Sequence, residues 1–93
     1  ALTNKTLEDI VAFHHAFECI HPFQDGNGRV GRLIMFKECL ANRVVPFIID
    51  EDLKLFYYRG LHEWDRAHEY LLDTCRTAQD NFRAVMRYFK IEM

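Results

Sequence analysis

Apolar residues recur at helical spacing in four segments that make up most of this chain. The first segment runs from about Thr6 to Ile20, with Ile10, Phe13, Phe17 and Ile20 on one stripe. Thr6 is placed to cap it, and Glu8 and Asp9 suit the positive end of the helix. Pro22 disfavours the α conformation at His21, so this helix should stop there. The second segment runs from about Gly28 to Asn42. Val30, Leu33, Ile34, Phe36 and Leu40 give it a broad apolar face and predict a buried central helix.

The third segment begins after Asp50, Glu51 and Asp52, three acids suited to a helix start. Leu53, Phe56, Tyr57, Gly60, Leu61 and Trp64 form its core face, and Leu55, Tyr58, His62 and Asp65 fall off it. The fourth runs from about Ala67 to Phe89. Its stripe, Leu71, Cys75, Ala78, Phe82, Val85 and Phe89, alternates spacings of four and three. Such a stripe could be a coiled-coil seam. It is too short for a sustained one, which favours docking on its own domain. The run VVPFIID, residues 44–50, is β-branched and apolar, but Pro46 interrupts it and no second strand is available to pair with it. It is expected to be an extended, buried connector. The pattern therefore predicts a compact all-α domain of about four helices over residues 1–93, with a loop between helices 1 and 2.

Composition narrows the classes. At 49% hydrophobic residues the chain has enough apolar surface to fold, and its 93 residues suit one small domain. A net charge of −2 gives no global attraction to nucleic acid or to an anionic membrane, so any anion site must be local. Cys19, Cys39 and Cys75 are odd in number and widely spaced, which predicts reduced thiols in a cytoplasmic protein. No apolar run is long enough to span a bilayer, and the N-terminus lacks the order of a signal peptide. The chain starts without Met and is expected to be the C-terminal part of a longer protein.

The chemistry concentrates in HPFQDGNGRVGR, His21 to Arg32. A helix N-terminus exposes unpaired N–H groups and partial positive charge. Glycines just before it let the backbone approach a ligand closely, which makes a cradle for phosphate. Arg29 and Arg32 share one face of the helix start, where cations oppose the dipole. A docked polyphosphate reverses that penalty, since guanidinium groups grip phosphate oxygens in bidentate fashion. Asp25 would repel phosphate unless Mg2+ lies between them, an ion that takes one or two carboxylates plus phosphate oxygens. His21 is the natural general base near neutral pH. Together these residues predict transfer of a phosphate-containing group to a hydroxyl.

Two other chemistries match less well. Gly26, Gly28 and Gly31 also fit the dinucleotide fingerprint, with Asp50 near its acidic position. That fingerprint needs a preceding strand in a βαβ unit, and here a predicted helix and His-Pro precede it. For zinc, His14, His15, Cys19 and His21 lack a paired ligand spacing. His14 and His15 are read instead as packing or surface residues, and His62 and His68 as solvated ones.

The motif resembles that of the Fic (filamentation induced by cAMP) family, H-P-F-x-[D/E]-G-N-G-R-x-x-R, without departure. The flanking helices, VVPFIID and LFYYRGL extend the resemblance over nearly the whole chain. It implies a protein adenylyltransferase (AMPylator), which moves AMP from ATP to a Ser, Thr or Tyr hydroxyl of a target protein and releases pyrophosphate. Carried over, His21 is the base and Asp25 binds Mg2+. Gly26, Asn27 and Gly28 form the anion hole, Arg29 and Arg32 contact the phosphates, and Phe23 anchors the loop. Tyr58 corresponds loosely to a tyrosine near the adenine in some relatives, although a surface Tyr fits as well.

The intact motif argues against the phosphotransferase branch that resembles the Doc toxin, and it leaves UMP or another nucleotide open as donor. Residues 1–5 are too few for the flap hairpin that aligns the target hydroxyl in this family. No inhibitory [S/T]-x-x-x-E-[G/N] motif occurs in the chain. The expected partners are ATP and a target protein, with autoAMPylation included and an inhibitory segment or antitoxin-like partner supplied from elsewhere. Neither nucleic acid nor membrane is expected to bind. The competing readings are a nucleotide-binding but catalytically silent fragment and, less in keeping with the missing inhibitory Glu, removal of AMP from targets.

Overall fold

The computed structural model describes residues 5–20 and 27–89, with Asn27 and Gly28 described by backbone alone. Four helices follow one another: α1 (Leu7–Ile20), α2 (Asn27–Ala41), α3 (Lys54–Glu63) and α4 (Glu69–Tyr88). No strand occurs among the described residues, and the all-α expectation holds. Contacts divide the chain into two compact units, Ala1–Val44 and Val45–Met93. In the first, α1 packs on α2; in the second, α3 packs on α4.

The first unit starts with a reciprocal cap. The Asp9 amide donates to Thr6 Oγ1 at 3.2 Å, and the Thr6 amide donates to Asp9 Oδ2 at 3.0 Å. This is a capping box with Asp in the place of the usual Glu. The other end of the unit is closed by Arg43, a non-glycine residue at φ 58°. The Val44 amide donates to the Cys39 carbonyl at 2.9 Å and the Arg43 amide to the Leu40 carbonyl at 3.4 Å. That pair is the Schellman pattern, which satisfies the last carbonyls of α2. Lys5 ties the two ends together, through its amide to Asn42 Oδ1 at 2.9 Å and its ammonium to Glu38 at 3.6 Å.

The buried stripes of this unit differ from the predicted ones. On α1 the buried residues are Ile10, Val11 and His14, while Phe13 and Ile20 are exposed and Phe17 is half-buried. On α2 they are Gly31, Met35 and Cys39, one turn apart, while Leu33 and Leu40 are exposed. The predicted broad face, Val30, Leu33, Ile34, Phe36 and Leu40, is at most half-buried. The cause is close approach. Each helix meets the other along one narrow stripe, with Ile10, Val11 and His14 on α1 and Gly31, Met35 and Cys39 on α2. Phe13, Leu33 and Leu40 lie beside the stripe.

The second unit follows its predicted pattern more closely. Leu53, Tyr57, Gly60 and Trp64 of the α3 segment are buried, whereas Phe56 is exposed and Leu61 half-buried. On α4 Leu71, Cys75 and Ala78 are buried as predicted, joined by Leu72, Thr74 and Gln79. The C-terminal part of the predicted stripe is not buried: Val85 and Phe89 are exposed and Phe82 is half-buried. The connector 44–50 is irregular backbone, with Pro46 and Phe47 buried and Ile48 exposed. Its carbonyl at Val45 accepts a 2.8 Å bond from Gln79 Nε2, which gives the buried Gln79 a partner. The acids 50–52 fall before α3, which starts at Lys54 with no acid in its first turn; Asp50 instead closes the preceding turn, accepting from the Leu53 amide through Oδ1 at 3.1 Å.

Gly60 lets α3 and α4 meet closely. A Cβ there would lie 2.7 Å from Leu71 Cα and 2.8 Å from Leu71 Cβ. One ring contact joins the two helices and a second joins the residues that flank them in the connection. The Arg59 guanidinium lies 4.3 Å from the centroid of the Tyr70 ring, and Trp64 stacks on His68 at 3.9 Å and 10°.

Candidate functional site

The α1–α2 pair delivers the motif. α1 ends at Ile20, immediately before His21, and α2 starts at Asn27, inside the motif. His21, Phe23, Asp25 and Gly26 lie outside the described residues. Asn27 and Gly28 form the first backbone turn of α2, one residue earlier than predicted. The amides of the first four residues have no acceptor within the helix. Arg29 is exposed and Arg32 half-buried.

No acid stands in the first turn of α2, whereas α1 carries Glu8 and Asp9 there. The two helix starts are therefore opposite in charge. Acids stabilise the start of α1 by a few tenths of a kcal/mol each, and arginines cost α2 about as much. An anion at the start of α2 removes that cost. The geometry brings Arg29, Arg32 and the leading amides of α2 into one region.

Tyr58 belongs to the second unit. It is 49% exposed and its ring centroid lies 5.4 Å from that of the buried Tyr57. As predicted, it stands off the core face with Leu55 and His62. Among the described residues no three His, Cys, Asp or Glu gather in a group that could hold a metal ion. All three cysteines are free; Cys39 and Cys75 are buried and Cys19 is exposed. Burial, then the Glu38 charge, pushes the Cys39 thiol up to about 11, which keeps it protonated.

Two residues beneath the motif carry no signal in its pattern. His14 is 2% exposed, and a Cβ on Gly31 would lie 3.2 Å from His14 Cε1 and 3.2 Å from Glu18 Cδ and Oε2. Burial lowers the His14 pKa from 6.5 to about 4. A hydrogen bond from the ring to the Gly31 backbone acts the other way, and the charges of Arg32 and His15 lower it further. His14 is thus neutral near pH 7. The only hint in the sequence is that His14 and Glu18 are one turn apart on the helix that leads into the motif.

A profile of the Fic/DOC family matches residues 2–39. That part of the chain belongs to the Fic/DOC family. The curated relatives include protein adenylyltransferase fic-1 of Caenorhabditis elegans, 33% identical over 61 residues, which is 66% of this chain and 12% of that protein. A probable protein adenylyltransferase of Aquifex aeolicus is 53% identical over 38 residues, 37% of this chain and 12% of that protein. A Fido domain-containing protein of Dictyostelium discoideum is 41% identical over 73 residues, 69% of this chain and 45% of that protein. The chain thus spans about an eighth of the adenylyltransferases and under half of the Fido domain protein. No described helix is long and apolar enough to cross a membrane.

Proposed function

We propose that this chain carries the nucleotide-transfer motif of a protein adenylyltransferase, which moves AMP from ATP to a Ser, Thr or Tyr hydroxyl. One observation carries the reading: Arg29 and Arg32 stand at an acid-free helix start, directly after His21 and the glycine-rich sequence Asp25-Gly26-Asn27-Gly28. The adenylyltransferase names of the relatives support it.

In this reading His21 takes the hydroxyl proton of the target. The hydroxyl oxygen forms a bond to the α-phosphorus, and the bond from that phosphorus to the bridging oxygen breaks, releasing pyrophosphate. Arg29, Arg32 and the backbone amides of Gly26, Asn27 and Gly28 bind the phosphate oxygens and offset their growing charge. Asp25 would hold Mg2+, whose donor chemistry suits one carboxylate plus phosphate oxygens and which neutralises part of the polyphosphate charge. The target protein, this chain itself included, supplies the acceptor.

The test is to incubate the whole protein with ATP labelled at the α-phosphate, with Mg2+, and follow label on protein. Label that disappears in His21→Ala is the expected result. Arg32→Ala should weaken ATP binding more than ADP binding, because the arginine is assigned to the terminal phosphate. Intact ATP binding with no label on any protein would refute the transfer and leave a silent nucleotide-binding module. Label from UTP in preference to ATP would change the donor and keep the chemistry.

A further inference from the structure

We propose that His14 and Glu18 of α1 are positioning residues that grip α2 at Gly31 and thereby fix the aim of Arg29 and Arg32. This rests on the nucleotide-transfer reading above, since it assigns the grip to that reaction. None of the three acts on the substrate; they act through the arginines.

Space beside Gly31 is tight. His14 Cε1 and the Glu18 carboxyl group both come within 3.2 Å of where a Gly31 side chain would begin. Gly31 is the residue before Arg32 and two after Arg29, so the contact sits inside the turn that carries both guanidinium groups. The two α1 residues are one turn apart and flank Gly31 together. A rigid contact on each side resists both rotation and sliding of α2. Positional precision of this kind has to come from packed supporting residues, because a long arginine side chain does not supply it alone.

Charge adds a second constraint. The groups facing His14 are His15 and Glu18 on its own helix and Arg32 on α2. A neutral ring can lie beside Arg32 and keep its hydrogen bond to Gly31. A protonated ring would be a buried cation next to the arginine. Glu18 brings the opposite charge to the same spot. The grip is thus one neutral hydrogen-bonding ring and one carboxylate around a position with no side chain.

The experiment has two readouts on the whole protein. The first is hydrogen exchange at the amides of Gly31 to Leu33 in the wild type, His14→Ala, His14→Gln and Gly31→Ala. We expect roughly tenfold faster exchange in His14→Ala and Gly31→Ala, with α3 and α4 amides unchanged and His14→Gln near wild type. The second is a double-mutant cycle on ATP affinity. His14→Ala should weaken ATP about tenfold, the size of one charge-assisted hydrogen bond. Combined with Arg32→Ala it should weaken ATP by clearly less than the sum of the two separate losses, the remainder acting through Arg29. Unchanged exchange, or full additivity of the two substitutions, overturns the proposal. A wild-type protein that binds no ATP refutes the nucleotide reading, and exchange in His14→Ala and Gly31→Ala still decides whether the grip exists.

Discussion

Replacing Gly60 with alanine tests how closely α3 and α4 approach. The added methyl carbon would lie 2.7, 2.8 and 2.9 Å from Leu71 Cα, Cβ and N. Carbon atoms rest at about 3.5–4.0 Å, so the overlap is roughly 0.8 Å. Two of the three atoms are backbone, and no rotamer change of Leu71 moves them. The helices must separate or bend. Overpacking of a tight core costs about 1–3 kcal/mol, and rigid backbone partners put this site at the upper end. Alanine returns about 1 kcal/mol of helix propensity. The net expected loss is about 2 kcal/mol, or very roughly 10 °C in Tm for a chain of this size.

The assay is built in. Trp64 is the single tryptophan, lies 6% exposed and stacks on His68, so its fluorescence follows the second unit through a urea titration. Gly60→Ala should lower the midpoint without changing the slope. A variant as stable as wild type, or more stable, would mean that propensity outweighs the contact. That outcome would refute the claimed close crossing.

Further outcomes follow from the first unit. Because the folded His14 pKa is about 4, against 6.5 when unfolded, the unfolded chain binds the extra proton between these values. Stability from this residue is therefore complete above pH 6.5 and declines toward pH 4, by up to about 3 kcal/mol. His14→Gln should flatten that part of a circular-dichroism stability profile, and an unchanged slope would count against a neutral buried ring. Thr6→Ala removes one half of the capping box and should cost about 1 kcal/mol in thermal unfolding, with Thr6→Ser nearly neutral. Arg43→Gly should stabilise by up to about 1 kcal/mol, since glycine adopts the left-handed conformation at C′ without strain.

Periodicity read the second unit well because its buried positions are mostly large apolar residues spaced to face one partner. Leu53, Tyr57, Trp64, Leu71, Cys75 and Ala78 were all legible in this way. It read the first unit poorly for the converse reason. There the buried positions include His14 and Gly31, which a hydrophobic count does not score, beside Ile10, Val11, Met35 and Cys39, while Phe13, Leu33 and Leu40 stand outside. The candidate site is contiguous in the sequence, from His21 to Arg32, and of it the structure describes only the stretch from Asn27 onward. The contribution of His14 and Glu18 was not legible, because it exists only once two helices cross at a residue without a side chain.

The Schellman turn at Arg43 closes α2 at the last residues of the first unit. Every contact that defines the α1–α2 pair therefore joins residues made before Val45. During synthesis at the ribosome, the helix pair that bears the motif has all its own partners before α3 begins to emerge. Pairing between neighbours in the chain costs little loop-closure entropy and is fast. The order of translation thus favours forming the α1–α2 pair that flanks the motif before α3 and α4 pair.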